Sequence, residues 1–490
     1  MNSPEPRGLT LTQWLVVLVA IIGFAFDTYE LLMLPLIAGP ALADLLHLPL
    51  GHPISRNWLG YIFWGSAVSG GLFGLLGGYL ADRFGRKRVL VWSILVYSLS
   101  PLAAAFSTSA GMLFFFRCTT FIGVCVEFPA AIAWLAELFP EPKRRERILG
   151  WTQAFASVGG LVVTGANALC VQYANSLPAI HGGHAAWRYT LITGLIPGLL
   201  LLMLLPLLPE SPVWLEKRKQ GTLKRPEFWE LFQPALRRTT LVTTILFACG
   251  FGAAFGTLQL APAQMVPGLP QVAEATKTRQ TIEKQEAPLM KQLAALPPGS
   301  PERKTIEAQL APLRGKKAPA MKQIQQAATK VQFFQEMGGL AGRCLLALLV
   351  TVIASRVTLL RMFLVPGVII VPLVYFYPAR TDLELLKWGV FVAGMLTIGQ
   401  FSFWGNYLPR VYPVHLRGTG ESFAANVGGR MIGASAGYVT TNLIAPHLPY
   451  QSTFAQVAVG GAIMALFVYA LGLLLTFWLP EPEKELTIEN

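Results

Sequence analysis

Runs of twenty or more apolar residues, separated by short polar breaks, recur along the whole chain. Within a run, hydrophobic residues occupy every face instead of the period-2 or period-3.6 stripe of an element with one wet side, so each run needs apolar surroundings on all sides. A hydrocarbon layer about 30 Å thick is crossed by about 20 helical residues rising 1.5 Å each. Cutting at the polar breaks predicts twelve spans, near 13–40, 57–81, 88–107, 110–138, 148–172, 186–208, 237–265, 335–355, 359–378, 384–409, 419–445 and 453–479. The first is too long for a signal-peptide core and follows a single cation, Arg7, so it reads as a span.

Composition supports a membrane protein over three soluble domains. Hydrophobic residues make up 53% of the 490 and charged residues 13%, against about 25% charged in soluble domains. The net charge of +13 does not point to nucleic acid, because the cations sit in short loops between spans. The termini and alternate short loops on their side hold twenty-one Lys and Arg, and the opposite short loops four, which predicts cytoplasmic termini in a multi-pass cell-membrane protein. Five cysteines, Cys118, Cys125, Cys170, Cys249 and Cys344, all fall in apolar blocks and imply no disulfide framework. No phosphate-binding G-x-x-x-x-G-K-[ST] loop is present, so ATP is not the direct energy source. No His/Cys/Asp cluster or Ser-His pair gathers at one depth, so neither an enzyme, a metal site nor a cofactor is expected.

One stretch departs from the pattern. Residues 271–336 are rich in Lys, Gln, Glu, Ala and Pro, and Pro297-Pro298-Gly299 followed by Ser300-Pro301-Glu302 supplies a turn and then a helix start. Apolar Ile282, Leu289, Leu293 and Leu296 before the turn, and Ile306, Leu310, Leu313, Ile324 and Val331 after it, predict an extracytoplasmic helical hairpin interrupted at Pro288, Pro312 and Pro319. The basic, Trp-containing loop 210–236 divides the spans six and six. Phe139-Pro140 with Arg144 and Tyr412-Pro413 with Arg417 repeat one spacing at the ends of spans 4 and 10. Small residues at four-residue intervals, Ser66, Gly70, Gly74 and Gly78 in span 2 and Ala425, Gly429, Gly433 and Gly437 in span 11, predict that these two spans touch across the halves.

The sequence Gly78-Tyr79-Leu80-Ala81-Asp82-Arg83-Phe84-Gly85-Arg86-Lys87 resembles the signature of the major facilitator superfamily. Pro209-Glu210-Ser211-Pro212-Val213-Trp214-Leu215, Glu137-x-x-Pro140 with Arg144, Arg417-Gly418-Thr419-Gly420 with Gly429-Arg430, and Leu479-Pro480-Glu481 resemble further motifs of its sugar and metabolite porters. Arg117 through Glu127-Phe128-Pro129 resembles a pattern of metabolite:proton symporters. The resemblance implies an all-α membrane fold of twelve helices in two six-helix bundles. Residues 1–209 form the first and 237–480 the second, with 266–335 inserted, 210–236 as a central cytoplasmic loop and 481–490 as a tail. It also implies a gate built from Gly78, Asp82, Arg83, Gly85, Arg86, Glu137, Arg144, Arg417 and Arg430. There Asp82, at a helix end, can accept backbone amides at the start of span 11 or pair with a nearby Arg, closing the cytoplasmic side in one state, while Arg83, Arg86 and Lys87 hold the turn in the cytosol.

Charges inside a bilayer cost at least about 2.5 kcal/mol, so those within spans are functional candidates. Asp27 lies near the middle of span 1 with Glu30 one turn on, and Asp27-Thr28-Tyr29-Glu30 resembles the D-x-Y-D of phosphate and organic-acid symporters. Asp27, then Glu127, with Glu30, are the candidate proton-coupling groups, since a carboxyl alternately wetted and buried can load and release a proton. Arginine keeps its proton and suits fixed recognition of an anion. Arg343 is the first candidate for substrate binding, whereas Arg430 and Arg117 read as structural. Tyr29, Gln153, Gln400, Trp404 and Asn426 are candidate lining residues, with Asn167, Asn406 and Phe403 beside them. The expected activity is proton-coupled symport of a small metabolite, an organic anion, by a monomer in the bilayer whose partners are its solute and protons. A sugar or polyol porter, a phosphate porter and a transport-inactive membrane sensor remain as alternatives.

Overall fold

The structure, a computed structural model, describes residues 10–49, 51–139, 148, 155–204, 209–220, 228–296, 300–413 and 416–481. Within them the chain is helical, and ten helices are long and apolar enough to cross a membrane. The first six helices are α1 (Leu11–Leu46), α2 (Pro53–Phe84), α3 (Arg86–Ala105), α4 (Ala110–Leu138), α5 (Ala156–Tyr173) and α6 (Ala186–Leu204). A short polar helix, α7 (Pro212–Gln220), and α8 (Arg237–Gly256) follow. Next come α9 (Ala273–Ala295), α10 (Pro301–Val352), α11 (Arg356–Phe376), α12 (Leu383–Ile398), α13 (Phe401–Val411), α14 (Arg417–Phe423) and α15 (Thr453–Leu475). Between α14 and α15 the chain runs through wider π turns, Ala424–Gly433 and Val439–Ile444.

Local chemistry sets the helix starts. Thr10 and Gln13 cap α1 reciprocally, while Ser109, Ser355 and Asp382 accept the amides of Met112, Thr358 and Leu385 at the starts of α4, α11 and α12. Large apolar side chains such as Trp92, Ile196, Met203, Leu348 and Phe467 are exposed on the outer surface, as lipid contact requires.

One sequence expectation changes and another is extended. The hairpin after α8 exists, and Ile282, Leu293, Leu310, Ile324 and Val331 are buried within it. However, α9 runs unbroken through Pro288, and α10 runs through Pro312 and Pro319 and on into the bundle, a single helix of 52 residues, about 78 Å long. Each of these prolines removes one helical amide, and its exposed face lets water take the freed carbonyl, so no break is forced. The small-residue stripes meet across the halves as expected, Gly74 against Asn426 and Gly437 against Phe63, and they serve further partners as well. The α2 glycines meet α4, with Gly70 against Phe121 and Cys125, and the span 11 glycines meet α8, with Gly428 on Thr244, Gly429 on Phe251 and Gly433 on Ala248. Contact between α2 and the span 11 run also uses Tyr61 and Trp64 against Tyr438, and Gly71 against Met431.

The helices before and after residue 210 also meet elsewhere. Gly39 of α1 rests on Ala263, Arg56 donates to Gln456 at 2.7 Å, and Asn442 donates to the carbonyl of Asn57 at 3.3 Å. Asn167 of α5 donates to Thr329 of α10 at 2.8 Å, and Arg314 reaches the carbonyl of Gly182 at 3.1 Å. These hydrogen bonds lie at the end of the bundle that carries the hairpin.

Candidate translocation site

Asp27 of α1 and Glu127 of α4 come within hydrogen-bond reach of each other. Glu127 is 2% exposed, and its Oε1 packs where Gly23 of α1 leaves no room for a Cβ. A hydrogen bond between two carboxyl groups needs a proton on one of them, because ionised carboxylates only accept. The charge facing Asp27 from the C-terminal helices is Arg430, on the π segment, which donates to Asn426 Oδ1 at 2.8 Å. Asn426 in turn packs on Gly74 of α2, so acids from α1 and α4 and an arginine from the opposite side meet along one seam. Asp27 Oδ1 and Glu127 Oε2 are buried without a hydrogen-bond partner among the described residues. A π turn at Arg430 is the kind of helix defect that recurs at functional sites. The sequence carries no local signal for it beyond its three nearby glycines.

Glu30 and Arg117 make an adjoining cluster, within electrostatic range of Asp27. Arg117 donates to the backbone carbonyls of Glu30 at 2.7 Å and Leu31 at 2.9 Å, and its guanidinium lies 4.6 Å from the Phe121 ring centroid. The reason lies in α1 itself: Pro35 has no N–H, so the carbonyl of Leu31 loses its helical donor and Arg117 supplies one. Both carboxyl oxygens of Glu30 are buried without partners among the described residues, one of them against Gly194 of α6.

The other nominated residues do not gather at the Asp27 seam. Tyr29 is buried and bonds Thr193 at 2.6 Å inside the N-terminal group. Gln400 donates to the carbonyl of Leu396 at 2.7 Å, and Trp404 packs 4.9 Å from Phe247, both inside the C-terminal group. Arg343 interacts electrostatically with Glu336 on its own helix. Glu336, 2% exposed, was missed from sequence because it sits at the polar edge of span 8, where the hairpin and the span could not be told apart. Gln153 and Arg144 lie outside the described residues.

At the other end of the bundle, Arg86 is not a solvated loop cation. It is 6% exposed and grips Glu137 of α4 through two bonds of 2.7 and 3.2 Å, with a third to the carbonyl of Ala81 at 3.0 Å. Forked guanidinium–carboxylate geometry of this kind fixes the α2–α3 corner to α4. The corner itself needs glycine, since Gly85 has φ +102° and the Glu210 carboxylate fills the space below it. Arg83 is exposed and donates to Tyr79 at 3.1 Å. For Gly78, Asp82 and Arg417 only the backbone is described. Glu210 accepts the Lys87 amide at 3.1 Å, capping α3, and Glu481 accepts the amides of Arg356 and Val357 at 3.0 and 3.1 Å, capping α11. Leu208-Pro209-Glu210 and Leu479-Pro480-Glu481 thus perform one task in each half, a closer repeat than the Phe-Pro and Tyr-Pro pair. Among the described residues no group of three His, Cys, Asp or Glu side chains is placed to hold a metal ion.

Comparison with known proteins fits this architecture. The sequence model of the Major Facilitator Superfamily matches residues 12–278. The chain is similar to the 4-hydroxybenzoate transporter PcaK of Pseudomonas putida, 35% identical over 44% of this chain and 45% of that one. It is also similar to a probable 4-methylmuconolactone transporter of Cupriavidus pinatubonensis, 24% identical over 91% of this chain and 88% of that one. The chain spans about half the length of several relatives it matches. In structure it resembles the xylose transporter XylE from E. coli in a partially occluded inward-open conformation, with a TM-score of 0.60, 17% identity, and coverage of 97% of this chain and 100% of that chain. This chain belongs to the major facilitator superfamily.

Proposed function

We propose that the protein is a proton-coupled symporter of a small organic anion, working by alternating access between two six-helix bundles. The observation that carries the reading is the Asp27–Glu127 carboxyl pair facing Arg430 across the seam. A proton shared by the two carboxyls lowers the cost of burying them, and parting the seam returns them to water, where the proton can leave. Arg343 and Arg430 supply fixed positive charge for a carboxylate. Relatives named as transporters of 4-hydroxybenzoate and 4-methylmuconolactone favour an organic acid as cargo.

On this reading there are twelve spans, with α5 and the run 417–445 as the fifth and eleventh, and the bundles comprise residues 1–209 and 237–480. The termini and the Arg86 corner face the cytoplasm of a cell-membrane protein, and the α9–α10 hairpin faces outward. Residues Gly78, Asp82, Arg83, Gly85, Arg86, Glu137, Arg144 and Arg417 form the inner gate. Uptake into proteoliposomes containing the full chain tests the reading. An acid-outside gradient is expected to accelerate accumulation of an organic acid, with protons entering alongside it. Accumulation that ignores the gradient, or that brings no protons with it, would overturn it.

A further inference from the structure

A polar face of α10 enters the scheme above only through Arg343. Gln325, Thr329, Gln332, Glu336 and Arg343 follow one another at intervals of four, three, four and seven residues, which places them on one side of an unbroken helix. The first four are at most 8% exposed. This side meets α5 of the opposite half: Asn167 donates to Thr329, and Glu336 lies where Gly160 leaves no room for a Cβ. Glu336 Oε1 accepts from Gln332 at 2.8 Å and from Gln335 at 3.1 Å, which consumes amide hydrogens and turns the amide oxygens away. Both Gln332 and Gln335 are 0% exposed, and the Oε1 of each is buried without a hydrogen-bond partner among the described residues.

A purely structural zipper would pair its acceptors, since an orphaned buried acceptor is costly. Here the Gln332 acceptor is left wanting a donor on a seam that parts during alternating access, and the Gln335 acceptor lies beside it, joined through Glu336, although the Gln335 backbone packs on Gly394 of α12. Glu336 already has two amide donors and the charge of Arg343. What the face lacks is a neutral hydrogen-bond donor, and at its other end an anion that enters competes with Glu336 for the Arg343 guanidinium.

We propose that this face of α10 is a ligand site for a carboxylate bearing a hydroxyl at its far end, the carboxylate going to Arg343 and the hydroxyl donating to the amide oxygens of Gln332 and Gln335. The assignment rests on the organic-anion reading and deepens it, because the donor requirement selects among acids. Helix α5 covers the face in this state, and separation of α5 from α10 admits the ligand.

The test is thermal stabilisation of the purified full chain by three probes: benzoate, 4-hydroxybenzoate, and 4-methoxybenzoate, which keeps the oxygen but cannot donate. Wild type is expected to bind the hydroxy acid at least about tenfold more tightly than the methoxy acid, the worth of a hydrogen bond to a buried acceptor. Gln332→Leu and Gln335→Leu are expected to bring that ratio towards one, and Arg343→Ala to abolish stabilisation by all three. Each variant is compared with its own ligand-free form, and the wild-type series stands without any variant. Equal binding of hydroxy and methoxy acids by wild type, or an unchanged ratio in both leucine variants, would overturn the site while leaving the organic-anion reading intact. Binding of none of the three by wild type would overturn both.

Discussion

Arg117 shows how much a single side chain's role depends on one distant residue. From sequence it is a charge at membrane depth; in the structure its guanidinium replaces the amide that Pro35 removes from α1. Arg117→Ala should therefore cost about 1–3 kcal/mol for the orphaned Leu31 carbonyl. Adding Pro35→Ala restores an amide at that position, so the double variant should recover part of the loss, with a coupling above about 0.5 kcal/mol in thermal unfolding. Strict additivity of the two changes would contradict the clamp. Asp27, Glu30 and Glu127 could be picked out from their depth in the sequence alone. Which of them pairs with which could not, because the carbonyl freed by Pro35 and the glycines at 23 and 194 decide where each side chain fits, and these act only once helices are packed.

Helices make contact through backbone as often as through side chains. The α1–α5 crossing brings the carbonyl of Ala25 onto Gly159 so closely that no Cβ can enter, whereas Gly165, two turns along α5, has open space around it. Gly159→Ala should destabilise the protein by about 1–3 kcal/mol or more through overpacking. Gly165→Ala should be neutral or stabilising by up to about 1 kcal/mol, since it only removes a helix penalty. Equal effects in a detergent unfolding assay would mean the crossing is misplaced. Glu210 and Glu481 make a second element-scale case, each a carboxylate accepting amides at the start of a helix in its own half. Glu210→Gln and Glu481→Gln should each cost about 0.5–2 kcal/mol, and their effects should add because the sites share no partner. A coupled, non-additive pair would show that the two caps do not act as independent copies. The helices themselves were legible because apolar runs and polar breaks fix their number and approximate ends. The π turns and the continuity of α10 were not, since both depend on packing that a local proline or glycine count does not reveal.

At the scale of the whole molecule, seams between the two groups of helices carry buried charge: acids from α1 and α4 against Arg430, and the polar face of α10 against α5. A bundle built only for stability would place apolar residues there; buried ionisable groups on surfaces that must separate fit a carrier that wets and dries them in turn. The superfamily signature in residues 78–87 made the fold legible from sequence, while the pairing of Asp27 with Glu127 and Arg430 needed the packed helices. The claim that this carboxyl pair couples solute to protons is tested most directly by following proton entry into proteoliposomes on addition of an organic acid, for wild type and Asp27→Asn. Wild type should take up protons with solute, and Asp27→Asn should lose gradient-driven accumulation while still exchanging solute across the membrane at equilibrium. Undiminished proton-driven accumulation by Asp27→Asn would contradict the account.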